Sequence, residues 1–467
     1  MERIRFADAL GSISWDMPIL LLLLGTGVYF FFRLGVFPVR YAGRITLALF
    51  RKDKRSGDGA VSPQQALCTA LAGTIGTGNI AGVAGAIALG GPGAIFWMWI
   101  SALFGMATKY AEIVLTLLTR GKDASGEWHG GAAIALRDRF GRFGRALSAA
   151  FCVFTVAASF GIGNLVQMHT IAESVLFATA KFCTVPESAA RVLALAAGLI
   201  VAALVGIWSR GAARVGRVAE RIVPVMSILY LFTVGTVIVR FFDRVPAALA
   251  LIVRAAFCPR SAVGAAAGIG IRQALEKGLS RGVLSNEAGL GSAPLAHVSA
   301  TADSPVREGF LGVAEVFFVT MIVCTSTALA LLLPSLAGAG GYRIPYGTPC
   351  GAECVEAALE TVLSPRLSSG LLGLTLLFFS FSSIITWLFY GSRCAEDLFG
   401  KRFAAVYRVL FLAMLPVAAL SEPGFVWKAA EVLNALMAVP NLIALLLLQK
   451  RVIRQTKRYF QRRKDGA

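Results

Sequence analysis

Charge is what this sequence has least of, and acidic charge least of all. Of 467 residues only 15% are charged, with 26 acidic side chains against 45 basic ones. A soluble domain carries about 25% charged residues, so a water-soluble globule is excluded. Histidine is nearly absent: His129, His169 and His297 stand far apart, too few and too dispersed to read as a metal cluster. The eight cysteines are scattered and no Cys-x-x-Cys pair occurs, which argues against a metal or redox centre. Cys350 and Cys354 share one hydrophilic loop and can pair if that loop lies outside the cytoplasm. No catalytic motif stands out, which argues against an enzyme, and no cofactor is expected.

What fills the chain instead is apolar. The hydrophobic share is 57% and the mean hydropathy +0.71. Apolar runs recur at a length that spans a bilayer, for which ~20 residues suffice, and they give about eleven spans. The net charge of +19 does not point to nucleic acid, because the basic residues collect between the apolar runs. Arg40 to Arg55, Arg120 to Arg145, Arg210 to Arg217 and the tail from Lys450 to Lys464 all fall on one side of the resulting topology. By the positive-inside rule that side is cytoplasmic, with the N-terminus outside. The first apolar run, from about Met17 to Phe37, has no small-residue cleavage site close behind it and reads as a retained span. The reading is an all-α polytopic protein of the cell (inner) membrane, with the C-terminus in the cytoplasm and the lipid bilayer as its surroundings.

One apolar run is unlike the others. From Gln65 to about Leu89 it has the length of a span, yet Gly73, Gly76 and Gly78 sit close together in it beside Thr74, Thr77 and Asn79. Glycine inside a helix costs about 0.5–1 kcal/mol relative to alanine, and Thr and Asn turn their side chains onto nearby backbone. The helix is expected to break in mid-membrane, where freed backbone groups must face protein or a wet cavity. Freed N–H groups suit a carboxylate and freed C=O groups a small cation; the plainer alternative is close helix packing through small residues. A second glycine-interrupted helix is expected over Ser261–Leu279, with Gly264, Gly268 and Gly270, followed by a cytoplasmic loop helix over 281–294. The two open sets of five spans in opposite directions, which implies an inverted repeat. The domain reading is an extra N-terminal helix and basic loop over 1–60, repeats over 61–243 and 244–449, and a basic tail over 450–467.

On these residues the chain resembles the alanine or glycine:cation symporter family, the sodium:alanine symporters. The resemblance runs over nearly the whole length. It is carried by Thr77-Gly78-Asn79-Ile80-Ala81-Gly82-Val83-Ala84, by the Gly90 to Trp99 and Gly105 to Glu112 stretches, and by Gly163-Asn164-Leu165-Val166-Gln167. Further pieces are Arg281 to Pro294, Trp387 to Gly391, and Asn434 to Leu442. It implies a LeuT-type fold, in agreement with the five-plus-five repeat, and sodium-coupled import of a small neutral amino acid such as alanine or glycine by alternating access. Ala132, Val319 and Ala265 depart from the family pattern, which leaves the preferred amino acid open. Proton coupling, a larger amino acid, or an amino-acid sensor on the same fold are the alternatives. A channel needs a continuous selectivity filter, which two broken helices in one asymmetric chain suit less well than an occluded site.

The candidate substrate-binding residues are Thr77, Gly78, Asn79, Gln167 and Trp387. Main-chain N–H groups at Thr77 and Gly78 suit the carboxylate. Asn79 either coordinates a cation or pins the break, and Gln167 either donates to the carboxylate or bonds a neighbouring helix. Trp387 matches the family's pocket tryptophan. Ser382 and Ser383, with the carbonyls of Ala72 and Ile75, can supply the oxygens that sodium, a hard cation, prefers; the alternative is back-bonding of the serines to their own helix. Asn286 and Glu287 are expected at an inner gate. Lys109 and Glu112 lie close to a cytoplasmic span end and read as a mutual or loop ion pair, or as a transport element. The pocket so drawn has amide, hydroxyl and backbone groups but no buried carboxylate or histidine to carry a proton. His169 falls about 200° around the helix from Gln167, away from the pocket. Sodium is therefore preferred to a proton.

Overall fold

The computed structural model describes residues 17–50, 59–123, 126–137, 139–180, 186–209, 211–257, 270–421 and 423–462. Nearly everything in it is helix; the one sheet among these residues is a two-stranded hairpin pairing Gly121–Lys122 with Trp128–His129. Six helices are long and apolar enough to cross a membrane, or eight if each of two bent pairs counts as one span. Met17–Arg33 is a shorter apolar helix. The protein is thus an all-α, multi-pass membrane protein, as the hydropathy pattern requires.

The first bent pair is the expected one. Pro63–Thr74 and Thr77–Gly90 meet at 66°. Ser62 starts the first half with a capping box, its hydroxyl accepting from Gln65 N while the Gln65 side chain accepts from Ser62 N. Pro63 takes the first helical position, where no N–H is needed. Ile75 and Gly76 are extended, and they carry the break.

A further break lies downstream of the interruption expected at Gly264 to Gly270. Ser261 to Ile269 lie outside the described residues, but the helix that follows runs unbroken from Ile271 to Asn286. It breaks at Glu287, whose φ is 53°, and at Gly289 and Gly291, with φ of 91° and 82°. A short helix, Ala293–His297, resumes beyond. The 281–294 stretch is therefore not a cytoplasmic loop: Ser285 to His297 are all buried. The interruption expected at Gly264 and Gly268 falls outside the described residues. Left-handed backbone sets the break at Glu287, whose side chain accepts from the Ser292 hydroxyl.

Two ends of the molecule are marked by different chemistry. At one, Thr301 N donates to Val61 O (2.8 Å) and Arg120 donates to the carbonyls of Val298 and Ala300 (both 2.8 Å). The hairpin lies there too. At the other, Cys350 and Cys354 form a disulfide, and Gly347 N donates to Ala88 O (2.9 Å). Pro63–Gly90 runs from the first end to the second. Ile271–Asn286 begins against Gly90, through Gln273 and Lys277, and Ala293–His297 leads back to the first end, so the two broken helices run in opposite directions. Ile271–Asn286 packs on Gly93–Thr119 through small residues: a Cβ on Gly282 would stand 3.0 Å from Ser101, and one on Gly278 would strike the Ala94 carbonyl. Such close approach is how helices associate in lipid, where dispersion replaces the hydrophobic drive.

Candidate functional site

The site forms where the two breaks face each other. Asn79 ties them: its amide donates to Thr74 O (2.7 Å), and its oxygen accepts from Ser285 Oγ and from Cys324 Sγ (3.3 Å). Thr327 Oγ1 donates to Asn79 O (2.9 Å). Of the two readings open to Asn79, pinning the break accounts for every one of these bonds.

Behind the first break, Ala72 O accepts from both Ser382 Oγ (3.3 Å) and Ser383 Oγ (3.1 Å). The serines lie on Pro365–Phe399, and both are buried. Ile75, close to Ala72 in sequence, is fully buried, and a Cβ at Gly76 would sit 3.1 Å from Ser383 Oγ. Hydroxyls and a helix-end carbonyl thus converge at close range. These neutral oxygens are of the kind a hard monovalent cation takes, although Ser382 Oγ lies closer to Phe379 O on its own helix (3.0 Å) and also meets Met226 Sδ (3.4 Å).

In front of the break lies a cavity of about 30 Å³, lined by Gly73, Thr77, Gly78, Gln167, Arg281 and Glu287 among others. That volume holds on the order of one or two waters, so the pocket is closed and admission of anything larger requires movement. Thr77 and Gly78 open the half-helix running to Gly90, whose first N–H groups have no intrahelical acceptor. Gln167 Nε2 donates to Ile162 O (3.1 Å), and its Oε1, like Thr77 Oγ1, is buried without a partner. The Gln167 amide thus spends one of its two N–H donors on its own helix, at a π-helical segment, Ser159–Leu165. Wide turns of this kind collect at functional sites, and a second, Phe317–Cys324, carries the Cys324 that reaches Asn79. Trp387 does not line the cavity. It is fully buried with its Cβ and ring packed on Gly163, its ring centroid 5.8 Å from that of Tyr390.

The second break supplies what sequence reasoning missed. Glu287 lines the cavity and accepts from Ser292 Oγ (2.5 Å). Asn286 faces away, donating to Thr320 Oγ1 (3.2 Å) and accepting from Ala288 N (3.0 Å). Lys109 pairs not with Glu112 but with Glu315 (3.2 Å), both fully buried. Glu112 instead caps the second break, accepting from Gly289 N (3.3 Å), Gly291 N (3.1 Å) and Asn441 Nδ2 (2.5 Å). His297 pairs with Glu308 (2.6 Å) in equal burial. The expectation of a pocket without buried carboxylates is overturned. Arg281 and Glu431 also reach across the cavity to each other at 2.8 Å. One signal was available: ionisable residues inside spans are functional by default, and Glu287, Glu315 and Glu431 are such residues. Among the described residues, Asp123, His129 and Glu396 bring ligand-type atoms within 4.8 Å at the hairpin end, despite their dispersal in sequence. Arg393 and Asp397 already pair with Glu396 and His129 there.

Two opposed broken helices, a closed polar pocket between them and oxygen donors behind it define a multi-pass membrane transporter of the LeuT type. The chain belongs to the sodium:alanine symporter family, whose model matches residues 2–467. It is 41% identical to an uncharacterized transporter of Haemophilus influenzae, covering 98% of this chain and 96% of that one. It is 38% identical to the sodium/alanine symporter AgcS of Methanococcus maripaludis, covering 100% and 99%. Its fold is similar to that of MhsT, solved with L-phenylalanine, at a TM-score of 0.55, 13% identity and coverage of 85% and 98%. The protein is a cation-coupled amino-acid symporter and not an enzyme.

Proposed function

We propose that this protein imports a small neutral amino acid such as alanine or glycine, coupled to sodium, by alternating access across the cell (inner) membrane. The observation that carries the sodium assignment is the convergence of Ser382 and Ser383 on the Ala72 carbonyl at the first break. A sodium ion there would take these oxygens with the Ile75 carbonyl. The substrate carboxylate would lie on the N–H groups of Thr77 and Gly78, with Gln167 beside it. Trp387 would shape the pocket from behind Gly163, and Asn286 and Glu287 would act as the hinge of an inner gate. The division into repeats over 61–243 and 244–449 accords with the opposed directions of the two broken helices. Ion and amino acid each raise the other's affinity by the same factor, as linkage requires. The test is uptake of labelled alanine and glycine into proteoliposomes under a sodium gradient alone and a proton gradient alone, for wild type and for the double variant Ser382→Ala, Ser383→Ala. Wild type should follow sodium, and the variant should lose sodium activation far more than substrate preference. Proton-driven uptake indifferent to sodium would overturn the assignment.

A further inference from the structure

Glu112, Glu287 and Glu315 are all buried around the second break, and one ammonium, Lys109, stands among them. Their compensation is unequal. Lys109 neutralises Glu315. Glu112 is held by two backbone N–H groups and the Asn441 amide. Glu287 has the Ser292 hydroxyl, a neutral donor. A buried carboxylate so weakly compensated is expensive, and it is stable only when a positive charge joins it. Glu287 is also the one of these three carboxylates that lines the cavity.

The surroundings point to a cation in the cavity. Thr77 and Gln167 line it, and their Oγ1 and Oε1 are buried without partners; outside the lining, near Glu287, Glu315 Oε2 and Tyr390 OH are likewise buried without partners. All are oxygens. The charged and titratable groups that face Glu287 are Lys109 and Glu112 from Gly93–Thr119, Glu315 from Pro305–Val316, and Tyr390 from Pro365–Phe399. Arg281 and Glu431 share its cavity but satisfy each other. An amino acid brings an ammonium as well as a carboxylate, and the N–H groups of Thr77 and Gly78 serve only the carboxylate.

We infer that Glu287 is the ammonium-binding carboxylate of the pocket and that it holds a proton in the ammonium's place when no amino acid is bound. The exchange is balanced. The substrate's –NH3+ pairs with Glu287 –COO⁻, the carboxyl O–H breaks, and its proton leaves to solvent; the ammonium–Glu287 pair is neutral, as the protonated carboxyl was, and the sodium ion bound at Ser382 and Ser383 balances the substrate's own carboxylate. The inference rests on the symporter reading, and it assigns the residue that recognises the amino group.

The test is calorimetric titration of the purified full-length protein, in sodium, with L-alanine and with propionate, which has a carboxylate and no ammonium. Each titration is run in two buffers of different ionisation heat, at mildly acidic and mildly alkaline pH. Wild type should release about one proton per alanine at acidic pH and fewer as pH rises, and none with propionate. Glu287→Gln should bind alanine ~10–100-fold more weakly, as loss of one partner of a buried charge pair implies, without proton release. The wild-type arms stand alone should that variant fail to fold. Alanine binding with no proton release at any pH, or release that persists in Glu287→Gln, overturns the inference and leaves the symporter reading intact. If neither alanine, glycine nor glutamine binds in sodium, the symporter reading falls and the inference with it.

Discussion

Two glycines on either side of the first break separate binding from packing. A Cβ at Gly78 would meet nothing within 4 Å, because that face opens into the cavity. A Cβ at Gly163 would drive into the Cβ and Cγ of Trp387, the least movable part of a fully buried ring. Gly78→Val should therefore insert and fold with a thermal midpoint near that of wild type, yet abolish alanine uptake by filling the pocket. Gly163→Ala should lower stability by about 1–3 kcal/mol, the usual range for overpacking a close-packed interior. The pair is checked by thermal unfolding in detergent beside uptake in proteoliposomes. Normal uptake in Gly78→Val would remove the N–H cradle from the substrate assignment.

At the scale of elements, the hairpin Gly121–His129 is fastened to the end of Pro365–Phe399. His129 Nδ1 lies 2.8 Å from Asp397 Oδ1 and its Nε2 3.5 Å from Asp123, while Arg393 pairs with Glu127. Burial works to lower the His129 pKa, but the hydrogen bond and charge of Asp397 outweigh it and hold the ring above its ordinary value. A histidine whose pKa is raised in the fastened state stabilises that state at acidic pH, and the contribution is lost as pH rises through the raised pKa. The hairpin should loosen with rising pH across that window. Spin labels at Lys122 and Lys401, on a background with the free cysteines replaced, should give distances that broaden with pH in wild type and do not respond to it in His129→Gln. The sequence made the first broken helix legible, because three glycines in an apolar run are costly inside a helix and Thr and Asn beside them offer the backbone other bonds. It did not disclose the second break, which rests on left-handed backbone at Glu287, Gly289 and Gly291. Nor did it disclose the partners of Lys109 and Glu112, since a lone charge in a span reads the same whichever of several helices it faces.

For the whole molecule, the open question is which end faces the cytoplasm, and the two ends answer by charge and by sulfur. The hairpin end carries Arg120, Lys122, Arg137, Arg139, Arg214 and Arg217, and the basic helix Gln449–Arg462 is tied to it. Tyr110 OH bonds Thr456 Oγ1 (2.8 Å), and Phe460 stacks on Tyr41 at 4.2 Å. Basic segments stay on the cytoplasmic side during insertion, and anionic lipid at that surface holds them there. The opposite end carries the Cys350–Cys354 disulfide, and such bonds persist in oxidising compartments rather than in the cytosol. Both arguments favour the hairpin end as the cytoplasmic one, and this is the orientation we propose. Met17–Arg33 runs toward that end, from Leu20 and Leu23 beside Ser101 to Phe37 against Tyr110, so this orientation would put Met17 at the outer surface. In intact cells, a membrane-impermeant maleimide should label Cys350 and Cys354 after mild impermeant reduction, and should reach Arg454→Cys only once the membrane is permeabilised. Labelling of Arg454→Cys in intact cells would invert the orientation, and with it the direction in which closure of the Arg281–Glu431 pair shuts the pocket.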